Sequence, residues 1–352
     1  MYEEKILIGT DTTSGIAPQI LDAIAEASHL KTLPYGYDVL TEECKNVVKN
    51  IFEKSDLEII PMVSGTASNS LALSSFLRSY GSVICHSDAH INKDEGGAPE
   101  FFSGGGKLLT ISNSLGRIQA DDLLKKIDEI IFKRKSSSLI SGVSITQLAE
   151  NGTLYTIDEI DAISEICKKN NLYLHMDGAR FSNALVSQEL ISPAEATWKV
   201  GVDCLSLGAT KNGAMAAELI IFFNKTLASE AQSLIKQTGH VISKTRFVSA
   251  QLNAWFKDGL WLELAKLANK NALYLRNQLS QFNDFKILYP TQGNEVFIKM
   301  SNLSYDNILK LNIIPNLWNK IDKDHLVVRF VTSFETNISQ IDEIIDRLKT
   351  YF

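Results

Sequence analysis

The chain is poor in the features that mark several classes of protein. Only four of its 352 residues are cysteine, Cys44, Cys85, Cys167 and Cys204, widely scattered and without a C-x-x-C pair. That spacing argues against a disulfide framework or a cysteine-held zinc, and at least two of the four fall in apolar strand contexts, so buried free thiols are expected. No apolar run approaches the roughly 20 residues of a membrane span. The start, MYEEKILIGTD, has no charged-then-apolar leader. A cytoplasmic protein without a membrane partner is the expectation. Basic runs are equally scarce. The densest, Lys133-Arg134-Lys135, stands in a chain of net charge −6, and suits a helix end better than a nucleic-acid groove.

What is present is an ordinary globular composition, 45% hydrophobic and 22% charged, with enough length for one large α/β domain and a smaller one. Apolar runs that read as buried strands cover 57–62, 82–86, 139–145, 172–176, 204–207 and 216–223. Helical spacing fills much of the space between them: after Pro18, over 41–53, from 64 to 80, and over 120–132 and 156–169. The last of these opens with Thr156 and Glu159, a capping box. Such alternation predicts a largely parallel sheet with helices on both sides. A long helical region over 248–282 follows, with Trp255, Phe256 and Trp261 as packing residues. Strands at 285–289, 295–300 and 326–332 and a helix over 338–348 then predict a smaller α/β unit. We expect a large domain over 1–245, with an arm at 1–15, and a small domain over 246–352.

Chemistry concentrates at two strand ends. Residues 172–176 run into Asp177 and Gly178, and residues 204–207 run into Gly208-Ala209-Thr210-Lys211. Alone, such an Asp is an ordinary turn residue and such a Lys a surface charge. Together and in this order they suit pyridoxal phosphate. A lysine amine forms a Schiff base with it, and an acid pairs with its pyridinium nitrogen and keeps the ring an electron sink. The helix start Ser64-Gly65-Thr66 offers unpaired N–H groups at a positive dipole end, which can hold a phosphate or be an ordinary cap. His86 and His90 make an H-x3-H pair without a clear third ligand, so no metal is expected.

The strings HMDGAR at 175–180 and GATKNG at 208–213 resemble the low-specificity L-threonine aldolase family, in the β-eliminating lyase group of fold-type I pyridoxal-phosphate enzymes. GTDTT at 9–13, YGYD at 35–38, SGTASN at 64–69 and the stretch from His90 to Gly97 agree with it, so the resemblance covers nearly the whole chain. It implies the fold-type I α/β architecture, with a mostly parallel sheet between helices. It also implies retro-aldol cleavage of L-threonine, L-allo-threonine and related β-hydroxy-α-amino acids to glycine and an aldehyde. By the same resemblance Lys211 carries the cofactor, Asp177 pairs with its ring nitrogen, and Gly65 and Thr66 grip its phosphate with Arg246 nearby. His90 stacks on the ring and moves protons or positions water, with Glu95 a matching carboxylate. Thr10 and Tyr35 reach the substrate, Tyr35 from a partner subunit in some members. Arg180 and Arg329 fork onto the substrate carboxylate, and Arg180 counts among the cofactor-binding residues as well. A homo-oligomer with shared sites, dimer or tetramer, is implied as well. The sequence departs from the family in two places: Gly9 stands where an arginine is usual, and Glu150 where many members have a histidine. The alternatives are another enzyme of the same fold, a β-eliminating lyase or aminotransferase acting on a small or aromatic amino acid, and a scaffold protein that has lost catalysis.

Overall fold

The computed structural model describes residues 4–132, 139–189 and 191–352. The basic triplet at 133–135 and the polar connector at 136–138 lie outside the described residues. In the N-terminal arm, Ile6–Leu7 forms a short strand, β1. Seven further strands build the central sheet: β2 (Glu58–Met62), β3 (Gly81–His86), β4 (Lys107–Ile111), β5 (Leu139–Thr146), β6 (Tyr173–Gly178), β7 (Cys204–Gly208) and β8 (Glu218–Phe222). Their order is β2-β8-β7-β6-β5-β3-β4. The five strands from β7 to β4 pair in parallel, and β8 runs antiparallel to both of its neighbours. This is the mostly parallel sheet expected. Every residue of β3, β7 and β8 is buried, as strands covered by helices on both faces require. Pro61 is tolerated in β2 because that strand lies on the sheet edge.

The helix Ile157–Lys169 begins with the anticipated capping box, both of its reciprocal hydrogen bonds being formed. It buries Ile160, Ile163 and Ile166 against the sheet and delivers the chain into β6. Two expected helices are shorter than their patterns. The one beginning at Gly65 ends at Ser74. The region 248–282 divides into Arg246–Phe256 and Leu260–Leu279, because Asp258 and Gly259 take φ values of 53° and 74°, and an Asp-Gly pair accepts that left-handed turn readily.

The C-terminal strands β9 (Lys286–Ile287), β10 (Glu295–Ser301), β11 (Ile313–Ile314), β12 (Asn316–Lys320) and β13 (His325–Val331) complete the fold. Four of them form an antiparallel sheet in the order β12-β13-β10-β9, while β11 pairs in parallel with β1. A backbone bond from Val331 to Ile8, 2.8 Å, extends the arm past the end of β13. Trp255, Phe256 and Trp261 belong to the core of the large sheet, and their rings pack on one another. A second core gathers Leu275, Leu279, Val296, Ile298, Val328, Phe330, Ile341 and Ile344. All four cysteines are free and buried. Among the described residues no helix is long and apolar enough to cross a membrane.

Candidate active site

The parallel strands deliver their carboxyl ends to one edge of the sheet, and the candidate residues collect there. Asp177 is the penultimate residue of β6, paired in register with Ser206 of β7. One carboxylate oxygen accepts the N–H of Ala179 (3.0 Å), and the other accepts an N–H of Asn69 (2.8 Å). Asn69, on the helix that begins at Gly65, gives its second amide hydrogen to Glu95 Oε1 (2.8 Å). Glu95 Oε1 also meets His90 Nδ1 at 2.9 Å. A chain of contacts, His90 to Glu95 to Asn69 to Asp177, therefore links the loop after β3 to the end of β6. The hydrogen bond to Glu95 raises the His90 pKa, with help from the nearby charges of Asp177 and Glu150. Burial pushes Glu95 up too. We place the proton of this pair on the imidazole, because Glu95 already accepts from Asn69 and a carboxylate receiving two N–H donors favours its charged form.

Lys211 follows β7 in the turn Thr210–Asn212. It lines a cavity of about 600 Å³ together with Thr10, His90, Glu150, Arg180 and Arg329. His90, Glu150 and Glu218 each feel the charges of both Asp177 and Lys211, which puts the strand-end acid and the strand-end lysine in one neighbourhood. Burial raises Glu150 to about 7, and Glu218 likewise to about 7.

Two arginines close one side of the cavity. Arg180 donates to both oxygens of Asp11, at 2.8 and 3.2 Å, and Arg329 donates to Glu295 Oε1 at 3.1 Å. Burial alone would raise Asp11; Arg180 and Lys211 overcome it and hold the carboxyl below its usual value. Arg329 also donates to the backbone oxygen of Gly9 (3.3 Å) and lies over the Trp318 ring. A Cβ at position 9 would stand 2.8 Å from the Asn316 nitrogen, so glycine is needed for the arm to pass β12.

The structure thus brings Thr10, His90, Asp177, Arg180, Lys211 and Arg329 together. Gly65 and Thr66 sit in the first turn of their helix, where Ser64 caps the Ala67 N–H (3.2 Å) and space beside Gly65 is open. The other leading N–H groups of a helix have no internal partner and suit an anion. Tyr35 and Arg246 do not line the cavity within one chain. Tyr35 is exposed, in the left-handed conformation, and Arg246 donates to the Ala27 backbone oxygen (3.4 Å). His86 is buried, with Nδ1 accepting from the Asp88 N–H (3.1 Å).

Sequence reasoning missed Asn69, Asp11, Glu295 and Glu218 as members of the site. The signal for Glu218 was an acid heading an otherwise apolar strand, ELIIF. Asp11 lay inside the GTDTT string. Asn69 likewise lay inside the SGTASN string, while Glu295 carries no local signal.

The model of the family described as "Beta-eliminating lyase" matches residues 8–302. The chain belongs to that family. It is 41% identical to the low specificity L-threonine aldolase of a Pseudomonas species over 303 residues, 86% of each chain. It is 38% identical to the enzyme of that name from Pseudomonas aeruginosa over 346 residues, 98% of this chain and 97% of the relative. Among solved structures, a threonine aldolase of Leishmania major superposes with a TM-score of 0.92 at 28% identity, covering 98% of this chain and 99% of the other. This β-eliminating lyase has the donor set that pyridoxal phosphate requires: an amine at Lys211, a fixed carboxylate at Asp177 and an open helix start at Gly65. The Arg329 Nε is buried without a hydrogen-bond partner among the described residues.

Proposed function

We propose that the chain is a pyridoxal-phosphate-dependent lyase of the threonine aldolase type, cleaving L-threonine, L-allo-threonine and related β-hydroxy-α-amino acids to glycine and an aldehyde. The observation that carries the reading is the convergence of Lys211, Asp177 and two arginines at the carboxyl ends of β6 and β7 and the adjoining end of β13. Bound pyridoxal phosphate supplies the electron sink for the pair released when the Cα–Cβ bond breaks. Lys211 would hold it covalently, Asp177 would keep its ring nitrogen protonated, and Gly65 and Thr66 would take the phosphate at the helix start. His90, held by Glu95, is assigned to the ring face.

Arg180 and Arg329 take the substrate carboxylate and Thr10 assists, which fixes the amino acid so that its Cα–Cβ bond is the one activated. Tyr35 and Arg246, away from the cavity of their own chain, are assigned to a site shared between subunits of a homo-oligomer, dimer or tetramer, in the cytoplasm. The exposed aromatic pair Tyr35 and Tyr37 supports that assignment. We keep the two-domain division, a large cofactor-binding unit and a small C-terminal one, as part of this reading.

The test is an absorbance spectrum with a coupled aldehyde assay. Wild-type protein should bind the cofactor with visible colour and release acetaldehyde from L-threonine, while Lys211→Ala should lose the lysine-bound band. A keto acid product would make the enzyme an aminotransferase, and a band persisting in the variant would mean another lysine holds the cofactor.

A further inference from the structure

We propose that Glu150 accepts the proton of the substrate β-hydroxyl, an assignment that rests on the aldolase reading above. Glu150 stands on the wall of the same cavity as Lys211, Arg180 and Arg329, on a turn after β5 that is tied down on every side. The Ala149 N–H donates to Thr153 O (2.9 Å), the Gly152 N–H donates to Ala149 O (2.8 Å), and Gly152 takes φ 76°. Asn151 donates to Leu115 O and accepts the Thr153 hydroxyl, and Gln147 exchanges two hydrogen bonds of 2.9 Å with the Tyr155 backbone. The side chain is fixed as well, because Glu150 Oε1 accepts the His90 backbone N–H at 3.1 Å. No other hydrogen bond reaches this carboxylate among the described residues, so its second oxygen is left for a ligand.

The remaining groups on the wall fail as acceptors for definite reasons. Arginine has no acceptor. Lys211, present as the ammonium whose charge acts on Glu150, has none either. The His90 imidazole donates to Glu95, a contact that favours its protonated form. Asp88 is paired with Lys93 on the exposed rim. The Tyr289 hydroxyl is shifted upward by burial and stays protonated. Asp94 lines the cavity too but is exposed; among the described residues lining it, Glu150 is the carboxylate placed inside, and burial together with Asp177 brings it to about 7, against the opposing pull of Lys211, His90 and Arg180. A general base titrating there is matched to its working pH.

In the step, the hydroxyl O–H bond breaks and its proton goes to Glu150. The O–H electron pair forms the aldehyde C=O, the Cα–Cβ bond breaks, and its pair stays with the glycine fragment, whose Cα takes up one proton from solvent before release. Glu150 returns its proton to solvent, so atoms and charge balance.

The test compares wild type with Glu150→Gln, an isostere whose amide oxygen can still accept from His90. Turnover of L-threonine should fall on the order of 100- to 10,000-fold, the range for loss of a general base. The wild-type rate should rise with pH through about 7, and that acidic limb should vanish in the variant. Glycine, which has no hydroxyl, should still bind with unchanged affinity in an absorbance titration. Glu150→Asp should recover part of the rate and keep the limb. A Glu150→Gln enzyme with wild-type turnover and limb would overturn the assignment, as would one that loses glycine binding too, because Glu150 would then serve structure alone. Wild-type enzyme that binds glycine yet releases no aldehyde would sink the aldolase reading itself, and this assignment with it.

Discussion

Arg180 and Arg329 meet on a single oxygen, Glu295 Oε1, at 3.4 and 3.1 Å. One arginine follows β6 in the large sheet and the other lies on β13 of the C-terminal sheet, so Glu295 is the hinge between two distant stretches of chain. With Asp11, the four charges cancel. On the proposed reading, a substrate carboxylate adds a charge for the arginines to receive, which would orient the amino acid.

Replacing Arg329 by alanine should therefore weaken the substrate rather than the cofactor. Truncating one member of a buried charge pair costs about 2–5 kcal/mol, so the KM for L-threonine should rise by at least an order of magnitude. Cofactor affinity, measured by dialysis and absorbance, should hardly move. Lysine at the same place should restore little, since it lacks the planar fork. Equal losses of substrate and cofactor would show that Arg329 serves the fold.

Asn69 offers a sharper test of the cofactor side. Its amide stands between two carboxylates, Glu95 and Asp177, at 2.8 Å from each, while its Oδ1 is buried without a hydrogen-bond partner among the described residues. Alanine would remove one donor from each acid, with each hydrogen bond to a charged group worth about 1.5–3 kcal/mol. Asp177 would lose its orientation, and cofactor affinity should fall more than tenfold on that scale. Aspartate should be worse than alanine, because it adds a third negative charge. An aspartate variant that binds cofactor as tightly as wild type would disprove the bridging role.

The strand ends were legible because β6 and β7 carry buried-strand patterns that stop abruptly at polar residues. The capped helix at 156–169 needed only local reasoning, whereas Asp177 and Lys211 stood out through their order and shared strand-end context. The four-charge cluster was legible in half. Arg180 and Arg329 stand in strings that could be recognised, whereas Asp11 meets Arg180 only across 169 residues of chain, and Glu295 meets Arg329 only once β10 pairs with β13, 34 residues apart. The break at Asp258-Gly259 was hidden by the apolar periodicity on both sides of it, which continues through the turn and reads as one helix.

Glu218 makes stability depend on pH in a definite direction. Burial holds its carboxyl near 7 in the folded protein, while an unfolded glutamate titrates near 4.3. Between those values the folded state binds more protons, so stability falls as pH rises through the window. Glutamine should remove this cost, on the order of 3 kcal/mol per buried carboxyl shifted this far. In the cofactor-free protein, Glu218→Gln should raise the denaturant midpoint at pH 8 and lose that advantage at pH 4. An advantage independent of pH would mean the gain comes from packing rather than from charge.

Two glycines with opposite surroundings separate the fold from the site. A Cβ on Gly178 would lie 2.7 Å from Leu205 Cδ1 and 2.9 Å from the Ser206 backbone oxygen. The close approach that this glycine permits is therefore between β6 and β7, not toward a ligand. Gly178→Ala should force the strands apart beside Asp177, at about 1–3 kcal/mol for overpacking, and lower the melting temperature and cofactor affinity together. Nothing lies within 4 Å of a Cβ on Gly65, and alanine favours a helix by nearly 1 kcal/mol over glycine. Gly65→Ala should leave the melting temperature of the cofactor-free protein unchanged or slightly higher. On the proposed reading the added methyl would fill space the phosphate takes, so cofactor affinity should drop while the fold does not suffer. If Gly65→Ala bound the cofactor normally, the phosphate would sit elsewhere, and the helix start would be only a cap.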